Sequence, residues 1–528
     1  MSESELTDEQ IAAAREGTGP LEELQLRRAR ALAMGGAERV QRHHDSGRLT
    51  ARERIDRLVD DGSWYELGML AEPEHRRERY AAADAIITGL ARIRGRKVCI
   101  LAIDATVLAG TTAPVNMRKQ NRVAEWAALR GLPLICLSDN DGGRLPDLLG
   151  WRFSGVPFDF SSFLQPPAGF PAIPRVTAVL GASFGDAALH AAMAHLVVMQ
   201  QDGCVALSGP PVVLAAIGEE IDAVALGGPQ VAAEINGTVH RIAEDEDAAL
   251  LAVAEFLSYL PDTAALPAPS REPIAAKRDT EDLLTLVPAE PRRGYDMYKV
   301  LDAVIDEGSL FEWGERFGRS LICGLVRIGG QPAGIVASQP MRSGGVLDVP
   351  ALTKEAGFVD LCETFNLPLV FLQDVPGLMI GSEAEKGGIL AAYEQVVTRL
   401  ARSTVPKIAI IVRKAYGGGH IAMGGRPVKP DLLLAWPGAE MGFMAPETGV
   451  LTAYRHRLDK VGAEEGPEAR AALLASMEAE WAAESEPWEA AKNILLDDII
   501  DPRETRQRII DGIDYAWGST GRVTASGQ

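Results

Sequence analysis

The feature that most restricts the fold is an internal repeat. Asp56-Arg57-Leu58-Val59-Asp60-Asp61-Gly62-Ser63 returns as Asp302-Ala303-Val304-Ile305-Asp306-Glu307-Gly308-Ser309. Gly89-Leu90-Ala91-Arg92-Ile93-Arg94-Gly95 returns as Gly324-Leu325-Val326-Arg327-Ile328-Gly329-Gly330, so Gly89 maps onto Gly324 at a shift of 235. Leu132-Pro133-Leu134 through Asp139 returns at the same shift as Leu367-Pro368-Leu369 through Asp374. Pro174 to Gly185 aligns with Pro406 to Gly417 at a shift of 232. Four blocks in one order at nearly one offset define a duplicated chain, so whatever fold the first half adopts, the second must adopt too.

Between the copies lies Pro261 to Pro291, with Pro267, Pro269, Pro273 and Pro288 among charged residues, which reads as a linker. The expected division is a first domain over 1–265, a linker over 266–292 and a second domain over 293–528. Short apolar runs, each followed by a glycine-containing turn, alternate with helical stretches, which points to an α/β fold with much parallel pairing. Near the start, Thr7-Asp8-Glu9-Gln10 has capping-box spacing. Helices are expected from there to about Arg42, broken near Gly17-Thr18-Gly19-Pro20 and Gly35-Gly36, and again over Ala51 to Val59.

Each copy carries one strand, glycine turn and helix in succession. In the second copy Lys407 to Val412 is a β-branched apolar run, Gly417-Gly418-Gly419 follows, and Ile421 and Met423 continue into a helix. Such a turn leaves backbone N–H groups unpaired and lets a ligand oxygen approach without meeting a Cβ. The helix dipole adds partial positive charge there. The Lys-Ser/Thr pair of a phosphate loop is missing, so the turn suits an oxyanion better than a phosphate. Two matched turns imply a reaction with two developing negative oxygens.

A net charge of −20 argues against a nucleic-acid partner and against docking to anionic membranes. No apolar run is long enough for a bilayer span. The opening MSESELTDEQ is unlike a secretory or mitochondrial leader. Cys99, Cys136, Cys204, Cys323 and Cys362 form no CxxC pair, which points to a reducing cytoplasm and away from a zinc ribbon. No metal site is expected, since the eight histidines show no metal-ligating spacing.

These residues carry a family resemblance. The stretches are Gly47-Arg48-Leu49-Thr50-Ala51-Arg52-Glu53-Arg54-Ile55, Gly218-Glu219-Glu220 with Leu226-Gly227-Gly228, Gln339-Pro340-Met341 and Phe365-Asn366-Leu367-Pro368-Leu369. They continue with Asp374-Val375-Pro376-Gly377, Arg413-Lys414-Ala415-Tyr416-Gly417-Gly418 and Ala435-Trp436-Pro437. Together they resemble the carboxyltransferase (beta) subunit of biotin-dependent acyl-CoA carboxylases, the group that includes propionyl-CoA and methylcrotonyl-CoA carboxylases. The resemblance implies two tandem crotonase-like (ClpP/crotonase) domains of repeated ββα spiral units, in a homohexamer. It implies active sites where the first half of one subunit meets the second half of a neighbour. Coenzyme A enters as part of the substrate, and biotin is carried on a partner. The chain has no Met-Lys-Met biotinylation site and no ATP-binding glycine motif, so the expected partner is a biotin carboxylase/biotin carboxyl carrier (alpha) subunit.

By the same resemblance one oxyanion hole uses the backbone N–H groups of Gly418 and Gly419, and the other those of Gly185 and Asp186. Relatives have consecutive glycines where this chain has Gly185-Asp186, which leaves a carboxylate near a developing anion unless it points away or pairs. The family's Asp-Ser-Gly-Gly-Ala-Arg stretch appears as Asp139-Asn140-Asp141-Gly142-Gly143-Arg144, followed by a Trp- and Phe-rich run to Phe170. Gly142, Gly143 and Tyr416 are further substrate-binding candidates. Ile421 stands where propionyl- and acetyl-type members place Asp, and an apolar wall there favours a larger acyl group. Arg118, Lys119 and Arg122 on an expected helix are candidates for the CoA phosphates. Two other readings compete. Gly181-Ala182-Ser183-Phe184-Gly185 spells the GxSxG of a serine hydrolase, although the duplicated position is Ala415. A carboxyltransferase-like scaffold without turnover is the third class, motivated by Asp186.

Overall fold

The computed structural model describes residues 10, 19–74, 80–159 and 170–517. Its contacts divide it into two units, the first ending at Leu266 and the second beginning at Pro267. The first sheet runs β1 (Tyr65–Leu67), β2 (Ile86–Ile93), β3 (Arg96–Ile103), β4 (Leu134–Asn140), β5 (Arg175–Phe184) and β6 (Leu196–Gln200). β7 (Cys204–Ala206) lies along the end of β5, and β8 (Arg241–Ala243) follows β6. The second sheet runs β9 (Phe311–Glu312), β10 (Leu321–Ile328), β11 (Gln331–Ser338), β12 (Leu369–Val375), β13 (Lys407–Tyr416) and β14 (Leu432–Ala435). β15 (Glu440–Gly442) pairs with β13, and β16 (Asp498–Ile499) follows β14.

The wiring is the same in both. The first two pairings of each sheet are antiparallel and the rest parallel. Register is kept as well: Cys99 faces Leu134 as Gly334 faces Leu369, and Ala182 faces Cys204 as Lys414 faces Glu440. Even an irregularity recurs, between Ser138 and Asn140 in β4 and between Gln373 and Val375 in β12. Parallel strands covered on both faces read as unbroken apolar runs, which is why β12, with all seven residues buried, shows little alternation.

The repeated motifs have identifiable tasks. Asp60 accepts hydrogen bonds from the Arg94 and Gly95 N–H groups at the β2–β3 turn, at 2.7 and 2.6 Å. Asp306 does the same for Gly329 and Gly330 at the β10–β11 turn, both at 2.8 Å. The helix Ala51–Leu58 begins on a capping box between Thr50 and Glu53, as its sequence predicts. Against burial, hydrogen bonds from His44 and Thr50 hold the Glu53 carboxyl down at about 2. Helices over Pro20–Leu32 and Ala37–Asp45 break where the glycines stand. The Thr7–Gln10 capping box lies outside the described residues except for Gln10, as does the 160–169 part of the aromatic run.

The proline-rich segment differs from the expected linker. Leu283 is buried in the core of the second unit with Val300, Val326 and Ile410. Arg327 donates to the Pro269 carbonyl at 2.7 Å, and Arg413 to those of Glu290 and Arg293 at 3.1 and 2.9 Å. Proline removes donors but leaves carbonyls, and buried arginines of the second unit collect them. The segment is therefore packed into that unit rather than strung free of it.

Candidate functional site

In the second unit β13 runs from Lys407 to Tyr416, longer than its apolar run, and turns directly into the helix Gly417–Ala422. Gly417 has φ +52°, and a Cβ there would lie 2.8 Å from the Phe443 carbonyl oxygen, so glycine is required. A Cβ on Gly418 would lie 2.9 Å from Leu378 Cδ1, and one on Gly419 would lie 2.6 Å from Val375 Cγ2 and 3.0 Å from Gly377 Cα. The three glycines thus let the turn settle onto the chain leaving β12. Gly418 and Gly419 occupy the second and third helical positions, where an N–H has no partner within the helix. No backbone acceptor takes either amide among the described residues.

The half-buried His420 and the buried Gln373 hold this turn. His420 Nδ1 lies 2.9 Å from Gln373 Oε1, and Gln373 Nε2 donates to the Met423 carbonyl at 2.7 Å. Burial, with a smaller contribution from Arg426, pushes the His420 pKa down to about 4, so the ring is neutral at physiological pH. Beneath it Asp374 is fully buried, with Arg413 Nη2 at 2.9 Å and Lys414 Nζ at 3.7 Å. His420 was missed by sequence reasoning, which asked only about metal spacing; its place three residues into the glycine turn was the available signal.

The first unit has the matching turn with different occupants. Gly185 has φ +64° and ψ −125°, a conformation for glycine, and precedes the helix Asp186–Ala192. Gly142 lies beside it: a Cβ on Gly185 would be 3.8 Å from Gly142 Cα. Gly143 pairs with Thr112 as Leu378 pairs with Leu347, a shift of 235 at both ends. Under the 232 shift Asp186 and Ala187 correspond to Gly418 and Gly419.

Three sequence expectations need correction here. The Gly185 N–H donates to the Leu207 carbonyl at 3.2 Å, so it is engaged by the strand pairing that ends there. Lys119 is not placed to meet the CoA phosphates, because it is buried. Its Nζ is buried against the Ala83 and Ile86 carbonyls, as Lys354 Nζ is against those of Gly314 and Leu321. Burial lowers the Lys119 pKa to about 8. Tyr416 is 1% exposed, and its hydroxyl donates to Glu440 Oε2 at 2.6 Å, so it supports the turn from below. Arg118 and Arg122 are exposed, Arg118 paired with Glu74 and Arg122 with Glu125 at 3.2 Å. Ile421 is half-buried, and its counterpart at a shift of 232, Leu189, is exposed.

Ser183 has none of the exposure a nucleophile elbow needs. It is fully buried, and its Oγ lies 2.9 Å from Ser138 Oγ. Ser183→Ala is expected to leave turnover unchanged and to lower stability by about 1 kcal/mol, the worth of one buried hydroxyl pair. Steady-state rates and a melting curve on the same sample check both. Among the described residues no three His, Cys, Asp or Glu side chains are grouped to hold a metal ion, and no helix is long and apolar enough to cross a membrane.

Comparison with known proteins agrees with this geometry. The carboxyl transferase domain model matches residues 42–525. The carboxyltransferase subunit of propionyl-CoA carboxylase from Haloferax mediterranei is 34% identical over 499 residues, covering 93% of this chain and 94% of that one. The methylmalonyl-CoA carboxyltransferase 12S subunit of Propionibacterium freudenreichii subsp. shermanii is 32% identical over 502 residues, covering 94% of each. A crystal structure of transcarboxylase 12S, described as a hexamer with methylmalonyl-CoA and methylmalonic acid bound, superposes with a TM-score of 0.87 at 31% identity and 96% coverage of both chains. The two units are tandem crotonase-like α/β domains. With the family model spanning nearly the whole length, the chain belongs to the carboxyl transferase domain family.

Proposed function

We propose that this chain transfers a carboxyl group from carboxybiotin, carried on a partner biotin carboxylase/biotin carboxyl carrier subunit, to the α- or vinylogous γ-carbon of an acyl-CoA. The assembly we propose is a cytoplasmic homohexamer. The observation that carries the reading is the twin strand–turn–helix arrangement, with the paired Gly418 and Gly419 amides free of backbone acceptors.

Carboxylating a carbon next to a thioester places negative charge on the thioester oxygen. Bound carboxybiotin supplies the activated CO2 and a ureido nitrogen able to take the substrate proton, so no side-chain base is compulsory. The chain's task is orientation and the stabilisation of two oxyanions. In the second unit the Gly418 and Gly419 N–H groups are the donors. In the first, the duplication points to the amides of Asp186 and Ala187, since that of Gly185 is engaged. The neutral His420 contributes no charge and holds the glycine helix against β12. Gly142 and Gly143 give the substrate close approach beside the first turn. Arg118 and Arg122, exposed on the helix Pro114–Arg130, are the remaining candidates for the CoA phosphates.

Ile421 sets the acyl preference in this reading. With the biotin-loaded partner present, bicarbonate-dependent ATP consumption is expected to favour bulkier acyl-CoA esters over acetyl-CoA. Ile421→Asp is expected to shift the ratio of kcat/KM values toward acetyl-CoA by about tenfold, the scale of one or two methylenes in an apolar pocket. A wild-type preference for acetyl-CoA would sink the role given to Ile421. Absence of turnover across the whole acyl-CoA panel, with the assembly intact, would favour the scaffold reading.

A further inference from the structure

The two turns differ at one position in a way that the duplication makes plain: Asp186 stands where the second unit has Gly418. The side chain is half-buried and hydrogen-bonded. Its Oδ2 accepts a hydrogen bond from Thr112 Oγ1 at 3.0 Å, and Thr112 Oγ1 in turn accepts from Asn140 Nδ2 at 3.2 Å. The other Asn140 amide proton goes to the Gly110 carbonyl at 2.8 Å, and Asn140 Oδ1 accepts from the Gly142 N–H. Thr112 and Asn140 are both buried. Asn140 thus donates into the Thr112 oxygen, and the Thr112 hydroxyl proton points at Asp186 Oδ2. The Asp186 backbone N–H also helps to hold the carboxylate, so one amide of the proposed first-unit pair already has an anion beside it.

We propose that the Asp186 carboxyl sets the working charge of the first unit's turn: neutral, it lets a substrate oxygen become anionic there, and ionised, it holds that charge off. The inference rests on the carboxyltransferase reading and adds to it a control that the second unit, with Gly418, lacks. Burial is the largest influence on the group. It lifts the carboxyl to about 6, against the hydrogen bond from Thr112 and its own N–H. The neighbouring titratable groups carry no charge that would offset it. Cys136 on β4, which senses Asp186, is a thiol pushed up to about 12 by burial, and His190 on the same helix is pushed down to about 4. No lysine or arginine side chain pairs with Asp186 among the described residues.

The test uses the full-length protein with methylmalonyl-CoA and free biotin as probes. In that reaction the bond from the carboxyl carbon to the α-carbon breaks and a bond to the biotin ureido nitrogen forms. The proton displaced from that nitrogen goes to the α-carbon. Rates are measured for wild type, Asp186→Gly and Asp186→Asn from roughly pH 5 to pH 8; the neutral fraction of a group titrating near 6 changes little below its midpoint and falls about tenfold per pH unit well above it. Both variants are expected to hold their rate as pH rises, while wild type falls behind by about a hundredfold at pH 8. The melting temperature of Asp186→Asn should also gain on wild type as pH rises toward 6, because the raised carboxyl favours the folded state only while protonated. A rate ratio independent of pH, or a wild type faster than Asp186→Asn at pH 8, overturns the inference and leaves the carboxyltransferase reading standing. Turnover absent from all three proteins overturns that reading, and the inference with it.

Discussion

Gly418→Pro is expected to lower kcat for carboxyl transfer by about 10²–10³, corresponding to ~3–4 kcal/mol of barrier, with little change in KM for the acyl-CoA. The substitution removes one N–H that the fold does not use, and its ring Cβ meets Leu378 Cδ1 as an alanine's does. Gly418 is the second helical position, where that N–H has no partner within the helix and where proline is tolerated. The control is Gly418→Ala, which keeps the donor. Its Cβ meets Leu378 Cδ1 at 2.9 Å, the far end of a side chain that can turn aside, so a smaller loss is expected there. Steady-state rates with the biotin-loaded partner, alongside melting curves, separate the two effects. A folded Gly418→Pro protein with wild-type kcat would remove this amide from the chemistry.

The largest effect on stability is expected at Arg54. Its side chain is 1% exposed and reaches Glu246 with two nitrogens at 2.7 and 2.8 Å, Asp139 at 3.1 Å and the Leu180 carbonyl at 3.2 Å. Asp139 and Glu246 are themselves buried, and Arg48 and His43 stand farther from Asp139, at 3.6 and 3.8 Å. Arg54→Met fills much of the same space but leaves two carboxylates without their main counter-charge. Removing one partner of a buried ionic cluster costs about 3–5 kcal/mol, far more than the pair is worth against an apolar replacement. Urea unfolding of the variant should show that loss. The double variant Arg54→Met, Glu246→Met should lose less than the two single changes added together. An Arg54→Met protein as stable as wild type would mean that the cluster is solvated.

How much of this was legible in the sequence depends on which atoms a residue uses. The repeat was readable because backbone register follows chain spacing: a shift of 235 carried Gly89, Leu134 and Asp139 onto their counterparts, and the strands pair accordingly. The glycine turn was readable because a missing Cβ is a local fact. Side chains that reach backbone were not. Arg118 and Arg122 lie one helical turn apart on an exposed face, while Lys119 points a third of a turn away, into the carbonyls of the β2 edge. Charge alone did not separate them, although the repeated lysine at 354 was a signal. The Gly185 amide was misjudged for a related reason: its acceptor, Leu207, belongs to the chain leaving β7, and only the tertiary pairing reveals it. Tyr416 beside three glycines looked like a ligand contact, yet strand alternation turns its ring inward to Glu440.

The recurrence of one strand order and one register has a cost during synthesis and refolding. β4 and β12 meet β5 and β13 in the same register, so a half-formed molecule would offer each central strand a second edge of the same spacing. Discrimination between them would fall to the side chains in which the strands differ, such as Cys136 against Phe371, and to the N-terminal copy folding first during synthesis. Chains of this plan carry a second copy of the turn, and with it a built-in competitor for their own folding.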